Sequence, residues 1–322
     1  MALVRWPRDR ALGWLDPLAV DELAGHVLVL DGVSAADDPA LAWVRRSPCV
    51  TIALTPAGGE GARAPDVVLA HDEVDAVDDL VAAVEANPGA SRVLVDVLRA
   101  TEGLDVASAL VVESLAYSAL LAGPEAAAWL ASRPAPRARA FAGPPVRVAR
   151  DGSVLRIHLA RPENRNAFSA AMRDALVEVL VVAEVDPTVE AVELAADGPA
   201  FCSGGDLDEF GTAQDVVVAH EVRTRRSVGA VLARLAPKVT VRVHGACVGA
   251  GVELPAFAGR VVATADATFR LPEVAMGLIP GAGGTVSLPR RIGRQATARL
   301  ALSGAVLDAE AALRLGLVDE LA

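Results

Sequence analysis

Lysine is almost missing from this 322-residue chain: Lys238 stands alone, and nearly all of the 30 basic residues are arginine. Basic charge as a whole is scarce. The formal net charge is −11 and the isoelectric point lies near 5.0, so the basic face that a nucleic-acid partner requires is lacking. An anionic small molecule is not excluded, because a local arginine cluster or a helix end can hold one. Cysteine is rare too. Cys49, Cys202 and Cys247 are odd in number and show no C-x-x-C spacing, which argues against a disulfide framework or a zinc site. No metal is expected. The N-terminus lacks the long apolar core of a signal peptide, and no uninterrupted apolar run reaches membrane-spanning length. A cytoplasmic protein with no membrane partner is the expectation.

Hydrophobic residues make up 53% of the chain, and a chain this long can bury a substantial core in two domains or one large one. Residues 1–90 alternate apolar runs with helical patterns. His26 to Leu30, Val50 to Leu54 and Asp66 to Ala70 read as strands; Pro56 to Pro65 reads as a loop. Val74 to Ala86 reads as an amphipathic helix closed by Asn87-Pro88-Gly89. This α/β pattern carries no catalytic signature: the acidic run Asp72 to Asp79 fits a solvated helix face, and His71 has no ligand partner at useful spacing. Residues 91–145 turn helical, with Val93 to Ala100, then Val106 to Leu121, which holds Glu113 and the single tyrosine, Tyr117. A short helix opened by Gly123-Pro124-Glu125 follows, and Pro134 to Pro145 reads as an extended linker.

Residues 146–322 carry the motifs. Val154 to Leu159 reads as a strand closed by Arg161-Pro162, and Asn164 or Asn166 can cap a helix over Ser169 to Ala183. Ala191 to Leu194 is the next strand, and Gln214 to Leu235 has helical periodicity with His220, Arg223, Arg225 and Arg226 on it. The alternating run Val239 to Val243 reads as another strand, broken by Gly245, Gly249 and Gly251 ahead of a helix start. Unpaired N–H groups at such a turn can hold a developing oxyanion when small residues let a ligand approach the backbone. Ala250 and Gly251 are the natural donors there, with Glu253 one helical turn away. Glu273 follows a proline and precedes a second glycine-rich turn, Gly281 to Gly284, which lacks the G-K-[ST] of a phosphate loop. A lone glycine turn or a lone glutamate is ordinary punctuation. Two acids beside two such turns in an apolar segment make a candidate site.

H-G-A-C-V-G-A-G-V-E-L from His244, F-R-L-P-E-V-A-M-G-L-I-P-G-A-G-G-T from Phe269, F-C-S-G-G-D-L from Phe201 and R-P-E-N-R-N-A-F from Arg161 together resemble the crotonase (enoyl-CoA hydratase/isomerase) superfamily. The resemblance covers residues 146–322 and implies an α/β fold with a crotonase-like ββα spiral core. It implies an acyl-CoA thioester whose carbonyl lies between the backbone N–H groups of Gly205 and Ala250, with Glu253 and Glu273 as the catalytic pair. Ser203, Asp206, Arg161, Arg165 and Gly281 would then contact the coenzyme A part. No separate cofactor is implied, since coenzyme A travels with the substrate, and a homo-oligomer, trimer or hexamer, is expected. Two glutamates favour a hydratase adding water to a 2-enoyl-CoA. An isomerase, another lyase or a hydrolase stays open, because the fold fixes the enolate and not the reaction. So does a non-catalytic acyl-CoA binding or assembly protein. Cys202 and Cys247, inside the motif turns, suit small buried residues rather than nucleophiles. Asp208 and Glu209 stand where hydratases often carry a basic residue near the coenzyme A phosphates, which leaves that contact to Arg161, Arg165 or an arginine of Arg223 to Arg226.

The helical stretch L-R-A-T-E-G-L-D-V-A-S-A-L-V-V-E-S-L-A-Y, from Leu98 to Tyr117, resembles the tail that ends a crotonase, yet here it precedes the core. Circular permutation and a truncated core beside an unrelated N-terminal domain both fit that order. Permutation predicts that Val106 to Leu121 packs against the C-terminal part of the core, near the acyl-CoA pocket or a subunit interface, with Glu113 meeting an arginine or water.

Overall fold

The apolar runs at the start of the chain form a parallel sheet in the computed structural model, which describes residues 2–13, 23, 25–56, 61–135, 141–213 and 215–322. β1 (Ala2–Pro7) leads into α1 (Arg8–Leu12) and pairs with β2 (His26–Asp31), which is followed by β3 (Val50–Thr55) and β4 (Val67–Ala70) in sequential order. β2 is buried from Val27 to Leu30 and β3 along its whole length, which suits largely apolar strands in a sheet covered on both faces. Arg5 and Pro7 interrupt the apolar pattern of β1, so periodicity alone does not reveal it.

α2 (Asp75–Ala86), α3 (Pro88–Ala100), α4 (Val106–Leu121) and α5 (Pro124–Ala131) come next. Pro88 does more than end α2. It takes the first position of α3, where a missing N–H costs nothing, so α3 begins earlier than its periodicity suggests. Residues 136–140 of the expected linker, residues 57–60 of the expected loop, and Gln214 lie outside the described residues.

The core opens with an antiparallel hairpin, β5 (Val146–Asp151) and β6 (Val154–Leu159). It continues through α6 (Ala170–Val185), β7 (Ala191–Ala196), α7 (Val216–Arg225), α8 (Val228–Leu235), β8 (Val239–Val243), β9 (Ala246–Val248) and α9 (Ala250–Glu253). β10 (Arg260–Ala263), β11 (Thr268–Arg270), α10 (Gly284–Ile292), α11 (Arg294–Ser303), β12 (Leu307–Asp308), α12 (Ala309–Leu315) and β13 (Glu320–Leu321) complete it. The long sheet runs β13-β10-β8-β7-β6-β5, parallel except for the hairpin, and a short sheet runs β12-β11-β9. Bridges Cys202–Cys247 and Phe168–Gly205 extend the short sheet beyond β9. Each circuit therefore lays a strand in the long sheet, bends, lays a short strand in the second sheet, and returns by a helix. This is a crotonase-type ββα spiral.

Two local expectations change. Ser169, not Asn164 or Asn166, caps α6: its Oγ accepts the Met172 N–H at 3.2 Å. Asn166 is instead buried, with its amide donating to the Asp197 and Ala200 carbonyls and its Oδ1 accepting the Arg161 N–H. The helical run expected to reach Leu235 breaks at Arg226, where the Ser227 hydroxyl caps α8.

The helical segment lies on the core. α3 packs on α10 and α11, α4 on α7, α8 and α10, and α5 against the 3₁₀ turn Glu273–Met276. Leu94, Leu98 and Leu110 share one apolar interior with Val252, Phe257 and Leu288. α4 thus takes the position predicted for it, but Glu113 meets backbone N–H groups rather than an arginine. The N-terminal sheet docks on α11 through β4 and α2, while its other face holds a separate cluster around Trp6, Leu28 and Trp43. Among the described residues no single helix is long and apolar enough to cross a membrane; α4 and α5 pass only as a pair, bent by 61°.

Candidate active site

The bends between the two sheets bring the glycine-rich turns together. After β7 the chain runs along the short sheet, where Phe168 N–H donates to the Gly204 carbonyl at 2.7 Å and Asp206 N–H to the Phe168 carbonyl at 3.1 Å. Strand alternation turns the Gly205 N–H away from Phe168. Ala250 is the first residue of α9, so its N–H precedes the intrahelical bonds. Among the described residues no carbonyl accepts from Gly205 N–H or Ala250 N–H. Both line a cavity of about 230 Å³ with Glu253, Glu273, Tyr117 and Phe210.

Gly249 makes this proximity possible. Its φ of +49° and ψ of −116° suit only glycine, and a Cβ there would sit 2.3 Å from Glu273 Oε1. The Glu273 carboxyl consequently rests against the turn that starts α9. Its Oε2 is buried, and no described group hydrogen-bonds it. Glu253 is held differently: its Oε2 accepts the Ala282 N–H at 2.7 Å and the Gly284 N–H at 2.8 Å, at the start of α10.

Burial sets the proton affinities. It drives Glu253 up to about 7, against the pull of the two N–H donors. Burial and then the neighbouring Glu253 push Glu273 well above the ordinary carboxylate range. A third acid, Glu113 of α4, is 2% exposed, and burial followed by the Glu253 charge raises it to about 8. Its carboxylate accepts the Gly283 N–H at 2.8 Å, the Thr285 N–H at 2.9 Å and the Thr285 hydroxyl at 2.7 Å. Three acids therefore titrate as a linked set. Such an arrangement can hold one carboxylate charged beside one protonated partner, which is what acid–base work needs.

Of the residues expected at the site, Glu253, Glu273, Gly205, Ala250, Asp206 and Gly281 line the cavity. Ser203 does not; its N–H donates to the Arg165 carbonyl. Arg161 is a correction. Its guanidinium is spent on the carbonyls of Ala142, Gly143, Pro144 and Ala160, where it pins the chain ahead of β5. Arg165 is exposed, at φ +56°, and also lies off the cavity. The cations that do line it are Arg173 and Arg223. Arg223 lies 5.0 Å from the Tyr117 ring centre and donates from Nε to Ser114 Oγ at 3.0 Å. Cys202 and Cys247 are buried, and burial pushes the Cys202 thiol up to about 12, so neither suits a nucleophile. Among the described residues no group of His, Cys, Asp or Glu is placed to hold a metal ion.

Sequence reasoning missed Arg173, Phe210 and the anchoring of Glu113. A single charged residue in an otherwise uncharged helix is the one available signal for the last.

The enoyl-CoA hydratase/isomerase family model matches residues 149–322. The chain is similar to a 2,3-dehydroadipyl-CoA hydratase of Escherichia coli, 34% identical over 174 residues, which cover 54% of this chain and 68% of that protein. It is similar to a 1,2-epoxyphenylacetyl-CoA isomerase of the same organism, 36% identical over 170 residues, 51% of this chain and 64% of the relative. A solved enoyl-CoA hydratase of Mycobacterium smegmatis superposes with a TM-score of 0.52 at 36% identity, covering 56% of this chain and 70% of that one. Matches to curated relatives thus span 62% to 68% of their length in the first examples. With the family's motifs gathered around one cavity and its model matched over more than half the sequence, the chain belongs to the enoyl-CoA hydratase/isomerase family.

Proposed function

We propose that the protein hydrates a 2-enoyl-CoA thioester. The observation that carries this is the unpaired N–H groups of Gly205 and Ala250 flanking a cavity that also holds Glu253 and Glu273. The thioester oxygen lies between the two donors. Glu253, fixed by two N–H groups and pushed up to about 7 by burial, takes a proton from water as the water oxygen bonds to C3. The alkene electron pair moves to the thioester oxygen as an enolate, which the two donors stabilise; one such donor is worth ~10²-fold or more in rate. Glu273, whose buried and unpartnered oxygen favours the protonated form, delivers its proton to C2 as the carbonyl re-forms. Proton exchange between the two acids and solvent then restores the starting state.

The cavity opens onto neighbouring ones that share Arg173 and Arg223 with it, so its own volume sets no limit on the acyl chain. Arg173 and Arg223, in place of Arg161 and Arg165, are the cations positioned to meet anionic groups of the coenzyme A part. No separate cofactor enters this reading. A homo-oligomer also belongs to it, supported by Val182 at 55% and Val185 at 72% exposed on α6; light scattering of the purified protein checks the assembly. Cytoplasmic placement rests on the sequence reading alone.

The test is a steady-state assay with 2-enoyl-CoA esters of increasing length, followed by loss of the conjugated-thioester absorbance with chromatographic product identification. Turnover to 3-hydroxyacyl-CoA is expected, and the series shows which acyl length is preferred. A product with a shifted double bond and no added water would replace hydration by isomerisation. Binding without turnover across the set would overturn the enzyme reading.

A further inference from the structure

The glycine-rich turn that opens α10 has its N–H groups divided between two carboxylates. Ala282 and Gly284 donate to Glu253, and Gly283 and Thr285 donate to Glu113, so consecutive residues serve opposite acids. Glu253 belongs to the core, whereas Glu113 comes from α4, outside the residues that match the family. The Thr285 hydroxyl adds a further bond to Glu113, so this acid has more donors than Glu253 itself. Around the turn, space is fully used. A Cβ on Gly284 would meet Glu253 Cγ at 2.7 Å, one on Gly281 the Tyr117 ring at 2.4 Å, and one on Gly283 the Phe257 ring at 2.5 Å. The turn cannot slide along one carboxylate without leaving the other.

We propose that Glu113 is a positioning residue for Glu253: by holding alternate N–H groups of the turn, it fixes the remaining two where they carry the Glu253 carboxylate. The proposal rests on the reading of Glu253 as the base that activates water. A structural role alone would leave Glu253 chemically unchanged. A positioning role ties the proton affinity of Glu253 to the Glu113 anchor, because the bonds from Ala282 and Gly284 favour the charged form of Glu253. Other charges face Glu113 as well. Glu253 and Glu273 approach from the core, Tyr117 from its own helix, and Arg223 from α7. His220 of α7 reaches the same place through Ser114 Oγ at 2.9 Å, and Arg173 and Arg226 line the adjoining cavity.

Glu113→Gln in the full chain tests this, because glutamine keeps the volume but turns an amide nitrogen toward a donor. The carboxyl resonance of Glu253, followed by ¹³C-glutamate labelling and assigned with Glu253→Gln, is the readout that needs no substrate. The expected result is a Glu253 titration moved to higher pH as its two N–H bonds lengthen. With it, kcat should fall about 10- to 100-fold at little cost in KM, the worth of a hydrogen bond to a charged group. An unchanged Glu253 titration overturns the proposal, and so does a downward shift with wild-type kcat, which would make Glu113 merely a neighbouring charge. Because the titration reads Glu253 directly, its result stands even if the enzyme runs another acyl-CoA reaction. Thr285→Val, which removes only the hydroxyl bond, gives a milder shift in the same direction, with Thr285→Ser restoring the parent; it carries the test if Glu113→Gln does not fold. A Thr285→Val titration identical to the parent would then overturn the proposal.

Discussion

At the scale of single residues, the two cavity glutamates differ in how they are held, and that difference is open to measurement. Glu253 has two backbone donors and Glu273 Oε2 has none among the described residues. Glu253→Gln and Glu273→Gln should each lower kcat by ~10²-fold or more while KM changes little, since each removes a proton transfer and not the thioester contacts. Full activity in either variant would take that residue out of the mechanism. The same acids also govern stability against pH. Glu113, Glu253 and Glu273 all hold their protons more tightly in the folded chain than an ordinary carboxylate, so the folded state binds more protons than the unfolded one. Their contribution is complete below the ordinary carboxylate range of about 4.3 and is lost as pH rises through about 7 and about 8. Urea midpoints should therefore fall from about pH 4.3 upward to about pH 8, and Glu253→Gln should flatten the slope. A midpoint that rises over that interval contradicts the assignment. These residues were not equally legible. Glu253, Glu273, Gly205 and Ala250 sit inside short motifs, where neighbouring glycines announce them. Glu113 makes its bonds 170 residues along the chain, and no local pattern encodes such a contact.

At the scale of elements, helices and strands with strong periodicity read correctly, and caps and breaks did not. Ser169 won the cap of α6 because Asn166 is taken by buried carbonyls. The bend at Arg226 arises because Ser227 caps a new helix instead of continuing the old one. The placement of α5 depends on one glycine that the sequence presents as ordinary. Gly277 ends the 3₁₀ turn of Glu273 at φ +70°, and a Cβ there would lie 2.5 Å from the Ala126 N and 2.6 Å from the Glu125 carbonyl carbon. Backbone atoms cannot yield as a flexible side chain can. Gly277→Ala should thus cost roughly 1–3 kcal/mol from conformational strain alone, read as a lower melting temperature. It should also lower kcat, because relief of the clash moves either α5 or the turn bearing Glu273. A melting temperature within error of the parent would mean that α5 is not docked there.

At the scale of the whole molecule, the question is what joins the N-terminal sheet to the core. Composition and periodicity gave no role to residues 1–90, because the join is made by side chains far apart in sequence. Asp66, at the edge of β4, has a side chain only 1% exposed. It accepts from Arg99 of α3 and from Arg294 of α11, whose side chains are 8% and 7% exposed. The Thr51 N–H and hydroxyl fill its remaining oxygen positions at 3.0 and 2.7 Å. Arg294 also donates to the carbonyls of Arg63, Ala64 and Pro65, so one core arginine grips the strand entry from several sides. A single buried carboxylate thus ties together two buried guanidinium groups, one from the helical segment and one from the core, while the more exposed Asp96 and Glu102 stand farther off, at 3.5 Å from Arg99 and 4.0 Å from Arg294. Taking that charge away leaves both cations with only these half-exposed and more distant carboxylates, whereas breaking a fully buried pair typically costs about 3–5 kcal/mol. Asp66→Asn keeps the size and most of the hydrogen-bonding shape, so its effect isolates the charge. Urea denaturation of the full chain should show a loss of up to that size, and the N-terminal sheet should become sensitive to protease before the core does. A fragment from Ser91 onward keeps α3 and α4 on the core but leaves Arg99 and Arg294 without Asp66, and should be less stable than the full chain. If Asp66→Asn changes the midpoint by less than the equivalent of about 1 kcal/mol, Asp96 and Glu102 suffice for the two arginines and Asp66 is not what joins the sheet to the core.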